Sequence, residues 1–437
     1  MVAKQDQIEI ALLGLGVIGS GVARTLLEKG PAYDRQLGFH LSLRHILERD
    51  LYKADGVPVD RRLVADDPRV VLDDKAVDIV IELLGGEHPA YDFIKEALSA
   101  GRYVVTANKE VMAKHGLELL ALAQEHGVDI LFEASVGSGT PVIGPLRRDL
   151  SANEITSIRA IINGTTNYIL TRMSKEGLDF QEALSQAQAL GYAEADPSND
   201  LEGIDAVYKL AILASLAFHT HVRPDDVYCE GITNLNARDF RYAQELGYVI
   251  KLLAVARREE EGVDVRVHPA FVPRGELLAN VDGVLNAVQV EGDLLGRVLF
   301  QGPGAGPYPT ASAIMADVMD AAYSVAAAKA GRRGGRLPWR AGRALPIKPV
   351  AELTTRYYLR MEVADRPGVL AQIARCFGDH GVSIASVIQK ESDEVAQTAE
   401  LVIMTHVARE ESVQKTVKEA GKLAVVSRIG NLLRVES

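Results

Sequence analysis

The feature that most constrains this chain is a glycine loop near its start. Gly14-Leu15-Gly16-Val17-Ile18-Gly19 directly follows an apolar run, Ile8–Leu13, and opens a helical pattern that continues to Glu28. A G-x-G-x-x-G between strand and helix suits a dinucleotide. The first glycine permits a tight turn, the second lets a pyrophosphate approach the backbone, and the third lets helix and strand pack closely. The helix start adds free N–H groups and a favourable dipole for phosphate. Gly14, Gly16, Val17, Ile18 and Gly19 are therefore expected to hold NAD or NADP. The next strand, Leu41–Leu47, runs into Glu48-Arg49-Asp50-Leu51-Tyr52-Lys53, where the two cofactors are usually told apart. Glu48 suits a ribose 2′-hydroxyl, whereas Arg49 and Lys53 suit a 2′-phosphate. Both signals are present, so dual use or a mild NADP preference is expected.

Further strands are expected at Asp78–Leu83, Arg102–Ala107 and Val128–Phe132, with helices at Pro89–Ala100 and Val111–His126. This alternation implies a parallel sheet with helices on both faces, a doubly wound Rossmann-type α/β domain over residues 1–144. Ligands sit beyond the carboxyl ends of such strands. Thr106-Ala107-Asn108-Lys109 lies at one end, which marks Thr106 and Lys109 for the cofactor edge. Phe132-Glu133-Ala134-Ser135-Val136-Gly137 lies at another. The segment Val136–Pro141 is short and polar, with carbonyls suited to a cation or to packing near the nicotinamide.

After Gly144 the rhythm changes. Residues 145–309 read as an α+β domain with its own core. Its strands are expected at Ile155–Asn163, Val263–Ala270 and Ala287–Val290. Its helices are expected at Thr165–Glu176, Phe180–Leu190, Asn199–Phe218 and Asp239–Ala256. Gly302–Pro309 forms a glycine- and proline-rich loop before an alanine-rich helix, 310–330, assigned to the first domain. Gly331–Pro349 holds five arginines and three prolines. With one aromatic, Trp339, in an otherwise acidic chain, it reads as part of a linker, 331–354, and not as a nucleic-acid patch. Residues 355–437 carry Tyr357–Val363, Val369–His380, Ser383–Gln389, Gln397–Met404, Ser412–Ala420 and Leu423–Val435. That is β-α-β-β-α-β, the ferredoxin-like plan.

Composition excludes several classes. At 437 residues the chain is too long for one ordinary core. Its 47% hydrophobic and 24% charged residues describe a globular protein in water. No apolar run nears the roughly 20 residues of a membrane helix. The N-terminus lacks the pattern of a signal peptide. Cys229 and Cys376 lie far apart and match no metal or disulfide spacing, which points to a reducing cytoplasm. A net charge of −11 argues against nucleic acid and anionic membranes.

The most informative polar stretch is Gly191-Tyr192-Ala193-Glu194-Ala195-Asp196-Pro197, continued by Asp200, Asp205 and Lys209. Asp205 and Lys209 are four apart on a helix and share one face. Alone, such a pair is usually a surface ion pair worth a few tenths of a kcal/mol. Here the helix is strongly apolar and acids crowd its start, so the cluster suits a substrate with an ammonium and a hydroxyl. Oxidation of an alcohol by hydride transfer needs a group for the hydroxyl proton. No histidine is obviously placed for this, since His219 and His221 end the helix and look structural or exposed; a lysine can serve, either as a neutral amine or as the cationic acid of the reductive direction.

These motifs together resemble the homoserine dehydrogenases, and the resemblance spans essentially the whole chain. It is carried by the glycine loop, Thr106–Lys109, Phe132–Gly137, Asn163-Gly164-Thr165-Thr166-Asn167-Tyr168, Leu190–Pro197, Asp200, Glu202-Gly203-Ile204-Asp205, Lys209 and Gly302-Pro303-Gly304-Ala305-Gly306. The resemblance implies NAD(P)-dependent interconversion of L-homoserine and L-aspartate 4-semialdehyde, in threonine, methionine and isoleucine biosynthesis. It implies Lys209 as proton donor and acceptor and Lys109 as a second lysine near the reacting oxygen. Glu194 and Asp205 would bind homoserine with Asp200 in support, and Asn163, Gly164 and Thr165 would border it. Gly306 would border the cofactor. The carbonyls of Glu133, Val136, Ser138 and Thr140 would hold a sodium ion, although relatives often have glycine in place of Ser138. Pro307-Tyr308 also departs from the usual pattern. The last domain resembles an ACT domain, through Asp365-Arg366-Pro367-Gly368-Val369-Leu370 and His380-Gly381-Val382-Ser383-Ile384. It implies a homodimer or homotetramer inhibited by threonine. The alternatives are a related amino-acid or semialdehyde dehydrogenase and a catalytically inactive amino-acid sensor.

Overall fold

A computed structural model of the chain describes residues 7–332, 342, 344–393 and 397–436. Most of the arginine-rich stretch, with Trp339, lies outside the described residues, so the expected linker is described only in part. Strand β1 (Gln7–Leu13) is buried along nearly its whole length, as an apolar run between parallel neighbours must be. Helix α1 (Val17–Leu37) and β2 (His40–Leu47) follow, then β3 (Val64–Ala65), α2 (Pro68–Leu72), β4 (Ile79–Glu82), α3 (Ala90–Ser99), β5 (Tyr103–Thr106), α4 (Lys109–Glu125), β6 (Ile130–Leu131) and α5 (Ile143–Arg147). The sheet order is β3-β2-β1-β4-β5-β6, all parallel, the order of a doubly wound dinucleotide fold. Helix α1 runs beyond Glu28 through Gly30-Pro31. It stops at Gly38, whose φ of 83° lets its N–H close on Asp34.

The chain continues with β7 (Ile155–Ile161), α6 (Gly164–Glu176), α7 (Phe180–Ala189), α8 (Ser198–Leu201), α9 (Ile204–Phe218), β8 (Tyr228–Cys229), α10 (Ala237–Glu245), β9 (Tyr248–Glu259), β10 (Gly262–Pro273), β11 (Leu285–Gly292), β12 (Gly296–Pro303) and α11 (Pro307–Lys329). Last come β13 (Thr354–Ala364), α12 (Val369–Asp379), β14 (Ile384–Asp393), β15 (Thr398–Thr405), β16 (Ala408–Arg409), α13 (Glu410–Ala420) and β17 (Val426–Val435).

Three expectations needed correction. The helix expected over Asn199–Phe218 is two helices, because Gly203 turns the chain at φ 87°. The helix expected over Asp239–Ala256 ends at Glu245. Gly247, at φ 84°, then starts β9. Lys251–Ala256 has the alanine and leucine of a helix former, yet it pairs with β10 from Tyr248↔Pro273 to Glu259↔Gly262. Pairing along both edges overrides a local propensity worth tenths of a kcal/mol per residue. Strand β12 was not expected; half-exposed and carrying arginine and glutamine, it has no clean apolar alternation.

Compactness divides the chain into two interleaved units. One holds residues 1–156, 208–225 and 286–345; the other holds 157–207, 226–285 and 346–437. In the first, α11 shares a core with the parallel sheet: Ala311, Ile314, Val318 and Ala321 join Ile8, Ile10, Leu12 and Ile81. In the second, β13, β14, β15 and β17 form the sheet of a β-α-β-β-α-β domain over Tyr357, Met361, Ile373, Phe377 and Leu401. That sheet does not stop at the domain edge. Strand β17 pairs in parallel with β10 at Ala270↔Arg434 and Phe271↔Val435, so the C-terminal residues share a unit with the middle of the chain. Among the described residues, no helix is long and apolar enough to cross a membrane.

The junction is ionic as well as hydrogen-bonded. Glu436 is 1% exposed and accepts from Arg257 at 2.9 Å and Arg266 at 2.5 Å. Burial opposes its charge, but Arg266, His268 and Arg257 more than offset that and hold the carboxyl well below its usual range. A carboxyl depressed in the fold contributes stability above its unfolded value of about 4.3 and loses it as pH falls. The melting temperature is therefore expected to fall below about pH 4. Glu436→Gln, which leaves Arg266 with Asp264 as its carboxylate partner, should cost about 1–3 kcal/mol at pH 7 and flatten that acid limb. Melting curves between pH 3 and 8 check both, and an unchanged acid limb in the variant would assign it to other carboxylates.

Candidate functional site

The glycine loop takes the shape its residues require. Gly14 has φ 98°, and a Cβ there would lie 2.7 Å from the Leu83 carbonyl oxygen. A Cβ on Gly19 would lie 2.1 Å from the Gly14 oxygen. At Gly16 nothing of the protein lies within 4 Å of such a Cβ, which leaves room above the start of α1. The loop borders a cleft of about 380 Å³ that also takes in Glu48, Arg49, Lys53 and Gly85. Glu48 lines this cleft with its carboxylate already held by the protein. It is 8% exposed. Its Oε2 accepts from Leu15 N–H at 2.9 Å, and its Oε1 accepts from Asp50 N–H at 3.0 Å and Lys53 Nζ at 3.1 Å. Burial opposes its charge, yet these donors bring the carboxyl below the ordinary value. Glu48 thus props the loop, while Arg49 is exposed on the cleft.

A second buried carboxylate, not singled out in the sequence, organises the next strand end. Glu82 accepts from Thr106 Oγ1 at 2.6 Å and from Leu84 N–H at 2.7 Å, and burial raises its pKa. Thr106 Oγ1 in turn accepts from Asn108 N–H, and Asn108 caps α4 through Val111 N–H. Lys109 is the first residue of that helix and is half-buried. Further along α4, Lys114 lies 6.0 Å from the centre of the Tyr208 ring, the neighbour of Lys209 on α9. Lys109 thus opens α4, and Lys209 follows the ring on α9 that Lys114 of α4 approaches.

The Glu133 side chain is a third prop. Its carboxylate accepts from Val142, Ile143 and Gly144 N–H at 2.6–2.8 Å, capping α5. Between them, Gly137 and Ser138 are both left-handed, with φ 72° and 46°. Among the described residues, no backbone N–H donates to the carbonyls of Val136, Ser138 or Thr140. Thr140 Oγ1 is buried without a partner, as are Oδ1 and Nδ2 of Asn286. The loop that carries Gly306 presses on both: a Cβ at Gly302 would meet Thr140 Oγ1 at 2.7 Å, and one at Gly304 would meet the Asn286 amide at 2.3 Å or less. Gly306 caps α11 at φ 121°. These unmet groups suit a polar ligand or a cation held by oxygens. Among the described residues there is no cluster of His, Cys, Asp and Glu side chains for a metal.

In the second unit one amide joins two expected acids. Asn163 Nδ2 donates to Asp200 Oδ1 at 2.7 Å and to Asp205 Oδ2 at 2.9 Å. Its Oδ1 meanwhile accepts from Thr166 N–H and caps α6. Thr165 Oγ1 donates to the Tyr192 carbonyl at 2.7 Å, and the Tyr168 and Tyr192 rings lie 5.1 Å apart. Gln188 Nε2 donates to the Glu194 carbonyl. The Glu194 loop is thereby tied to the start of α6, with the Glu194 side chain exposed. Gly164 is required here, since a Cβ would lie 3.0 Å from the Val284 oxygen. Asp205 and Lys209 are one turn apart on α9, whose first residues belong to this unit and whose remainder, from Tyr208, belongs to the other.

The glycine geometry generates a paired test. Gly16→Ala keeps an allowed backbone, φ −69°, and meets no protein atom, so the melting temperature should hold. Dinucleotide Kd should rise roughly tenfold, about 1.4 kcal/mol. Gly19→Ala should lower both affinity and melting temperature, because backbone must move. Fluorescence titration with the reduced cofactor and a melting curve read the two effects; tight binding by Gly16→Ala would separate the loop from the cofactor.

Comparison with known proteins agrees with this geometry. Residues 14–133 match the family described as homoserine dehydrogenase, NAD binding domain; residues 141–319 match homoserine dehydrogenase; residues 357–425 match the ACT domain. The homoserine dehydrogenase of Corynebacterium glutamicum is 43% identical over 436 residues, covering 98% of this chain and 96% of that protein. The crystal structure of a homoserine dehydrogenase from Thiobacillus denitrificans superposes with a TM-score of 0.92 at 41% identity, covering 99% of each chain. A hyperthermophilic archaeal homoserine dehydrogenase in complex with NADPH gives 0.61 at 31% identity, over 72% of this chain and 98% of that one. The chain belongs to the homoserine dehydrogenase family of NAD(P)-dependent oxidoreductases and carries a C-terminal ACT domain.

Proposed function

We propose that the carboxylates of Glu194 and Asp205 hold the substrate ammonium, with Asp200 and Asn163 in support and Gly164 and Thr165 beside them. Lys209 carries the proton exchanged with the substrate oxygen. The observation that supports this reading best is the pair of bonds from one Asn163 amide to Asp200 and Asp205, one helical turn before Lys209. A bound nicotinamide supplies or accepts the hydride at the carbon that bears the oxygen. In reduction, the Lys209 ammonium gives its proton to the aldehyde oxygen of L-aspartate 4-semialdehyde. In oxidation, its amine takes the hydroxyl proton of L-homoserine. Lys109 adds positive charge near the same oxygen, where an alkoxide develops.

The cofactor is held by Gly14, Gly16, Val17, Ile18, Gly19, Thr106 and Gly306, with NADP preferred. Glu48, which would otherwise serve a ribose 2′-hydroxyl, has both oxygens engaged by Leu15, Asp50 and Lys53. Arg49 stands exposed on the same cleft, with Lys53 beside it, for a 2′-phosphate. The NADPH held by the archaeal relative supports this choice. The carbonyls of Glu133, Val136, Ser138 and Thr140 would hold a sodium ion, which would fix the loop and satisfy the Thr140 hydroxyl. In functional terms the chain divides into a dinucleotide domain, 1–144 with 310–330, a substrate and dimerisation domain, 145–309, a linker, 331–354, and an effector domain, 355–437. The protein works as a homodimer or homotetramer in the cytoplasm, in threonine, methionine and isoleucine biosynthesis, with threonine as inhibitor.

Initial rates with homoserine, using NAD and NADP with and without threonine, test this directly. NADP should give the higher kcat/KM, and threonine should lower the rate. Lys209→Ala should cut turnover about 10²- to 10⁴-fold while cofactor binding survives. Near-wild-type turnover in that variant would remove Lys209 from the reaction. A rate indifferent to threonine would reject it as the effector.

A further inference from the structure

Arg434 lies on β17, in the C-terminal domain, and is 1% exposed. Its guanidinium grips Glu410 with two bonds, from Nε at 2.9 Å and Nη2 at 2.7 Å. The remaining Nη1 reaches outside that domain and donates to Glu230 Oε2 at 2.9 Å. Nη2 also donates to the Tyr228 hydroxyl at 3.3 Å, and that hydroxyl donates to the other oxygen of Glu230. Burial opposes the Arg434 charge, but Glu230 and Glu410 outweigh it and keep the guanidinium charged. Burial likewise pushes the Glu230 carboxyl up, and Arg434 brings it below the usual value. Apolar side chains of similar volume often hold a junction equally well, so stability alone does not call for this group.

The residues around Glu230 form one wall of a turn that matters. Ile232 N–H donates to the Leu201 carbonyl at 2.8 Å, and Cys229 Sγ donates to the Glu202 carbonyl at 3.1 Å. Gly231 comes so close that a Cβ would lie 2.4 Å from the Leu201 oxygen and 2.7 Å from Glu202 Cα. On the other side, a Cβ at Gly203 would lie 3.0 Å from Cys229 Sγ. Leu201–Gly203 is the turn between α8 and α9. Asp200 enters it, Asp205 leaves it, and both carboxylates accept from the one Asn163 amide. A shift of residues 229–232 moves the backbone on which both acids ride.

We infer that Arg434 is a positioning residue for the amino-acid substrate: through Glu230 it seats the 201–203 turn and so sets the distance between Asp200 and Asp205. The C-terminal domain thereby gains a mechanical route to substrate affinity that bypasses the cofactor. This rests on the reading that these acids hold the substrate.

Steady-state kinetics on the full chain test it with Glu230→Gln, Arg434→Met, Arg434→Lys and Asp205→Asn. Glutamine keeps the volume and one acceptor for Nη1 but removes the charge. Glu230→Gln and Arg434→Met should raise the homoserine KM about three- to tenfold, with kcat and cofactor KM within about twofold. Arg434→Lys, able to reach only one carboxylate well, should fall between. If Arg434→Met fails to show a melting transition, Glu230→Gln decides alone. Asp205→Asn separates the two readings: an unchanged homoserine KM there removes the acids from substrate binding, and the inference falls with them. A raised KM in Asp205→Asn beside a normal one in Glu230→Gln overturns the inference alone. So does an equal loss of kcat and cofactor affinity in Glu230→Gln, which would signal general loosening.

Discussion

Two neighbouring positions at the end of the chain, Arg434 and Glu436, bring charges of opposite sign into a nearly dry junction. Arg434 answers Glu410 and Glu230, and Glu436 answers Arg266 and Arg257. A lone charge at such depth would cost several kcal/mol, so each is tolerable only with its partner in place. Those partners come from β10 and the segment around β8 as well as from the C-terminal domain. Asp239 and Glu400 repeat the arrangement further along, both paired with Arg360. The result is a continuous sheet whose seam is specified by charge and not only by apolar area. A domain hung on a flexible linker would answer an effector only by collision. This one is built into the same sheet as β7, the strand that leads into Asn163.

The first unit uses a related device at three strand ends on the ligand side. Glu48, Glu82 and Glu133 follow or end β2, β4 and β6, and all three are buried. Each spends its oxygens on backbone N–H groups or on a neighbouring side chain: Leu15 and Asp50 for Glu48, Leu84 and Thr106 for Glu82, and Val142 to Gly144 for Glu133. Loops that must leave room for a dinucleotide cannot pack against one another. Buried carboxylates hold them from beneath instead, in positions that a bound cofactor meets already formed. The orphaned Thr140 hydroxyl and Asn286 amide are the complement of that plan, polar groups with no protein partner beside a glycine-rich loop.

Asn163 plays the corresponding part in the second unit. A carboxylate pair left to itself would separate by repulsion. One amide that donates to both, while its oxygen caps α6, holds them near each other without neutralising them.

Some of this was legible residue by residue, because the requirement was local. Gly14 takes a positive φ and Gly19 packs against the Gly14 carbonyl five residues back, so the loop could be read directly. The C-terminal β-α-β-β-α-β order likewise follows from short apolar runs of the right period. Lys251–Ala256 reads as helix because its residues favour helix in isolation, and β10 and β7, paired along its two edges, make it a strand. Glu48 was weighed as a cofactor ligand because its position in sequence is that of one. Its capture by Leu15 and Asp50 depends on where the first strand places the glycine loop. The sequence by itself determined the chemistry: which loop takes phosphate, which acids gather ahead of Lys209, which segments alternate. Tertiary structure alone decided how these share support, since the seam between β10 and β17, the break at Gly203 and the bond from Arg434 to Glu230 join residues far apart in the chain. No local pattern encodes such pairings, because their energy exists only when both partners are already in place.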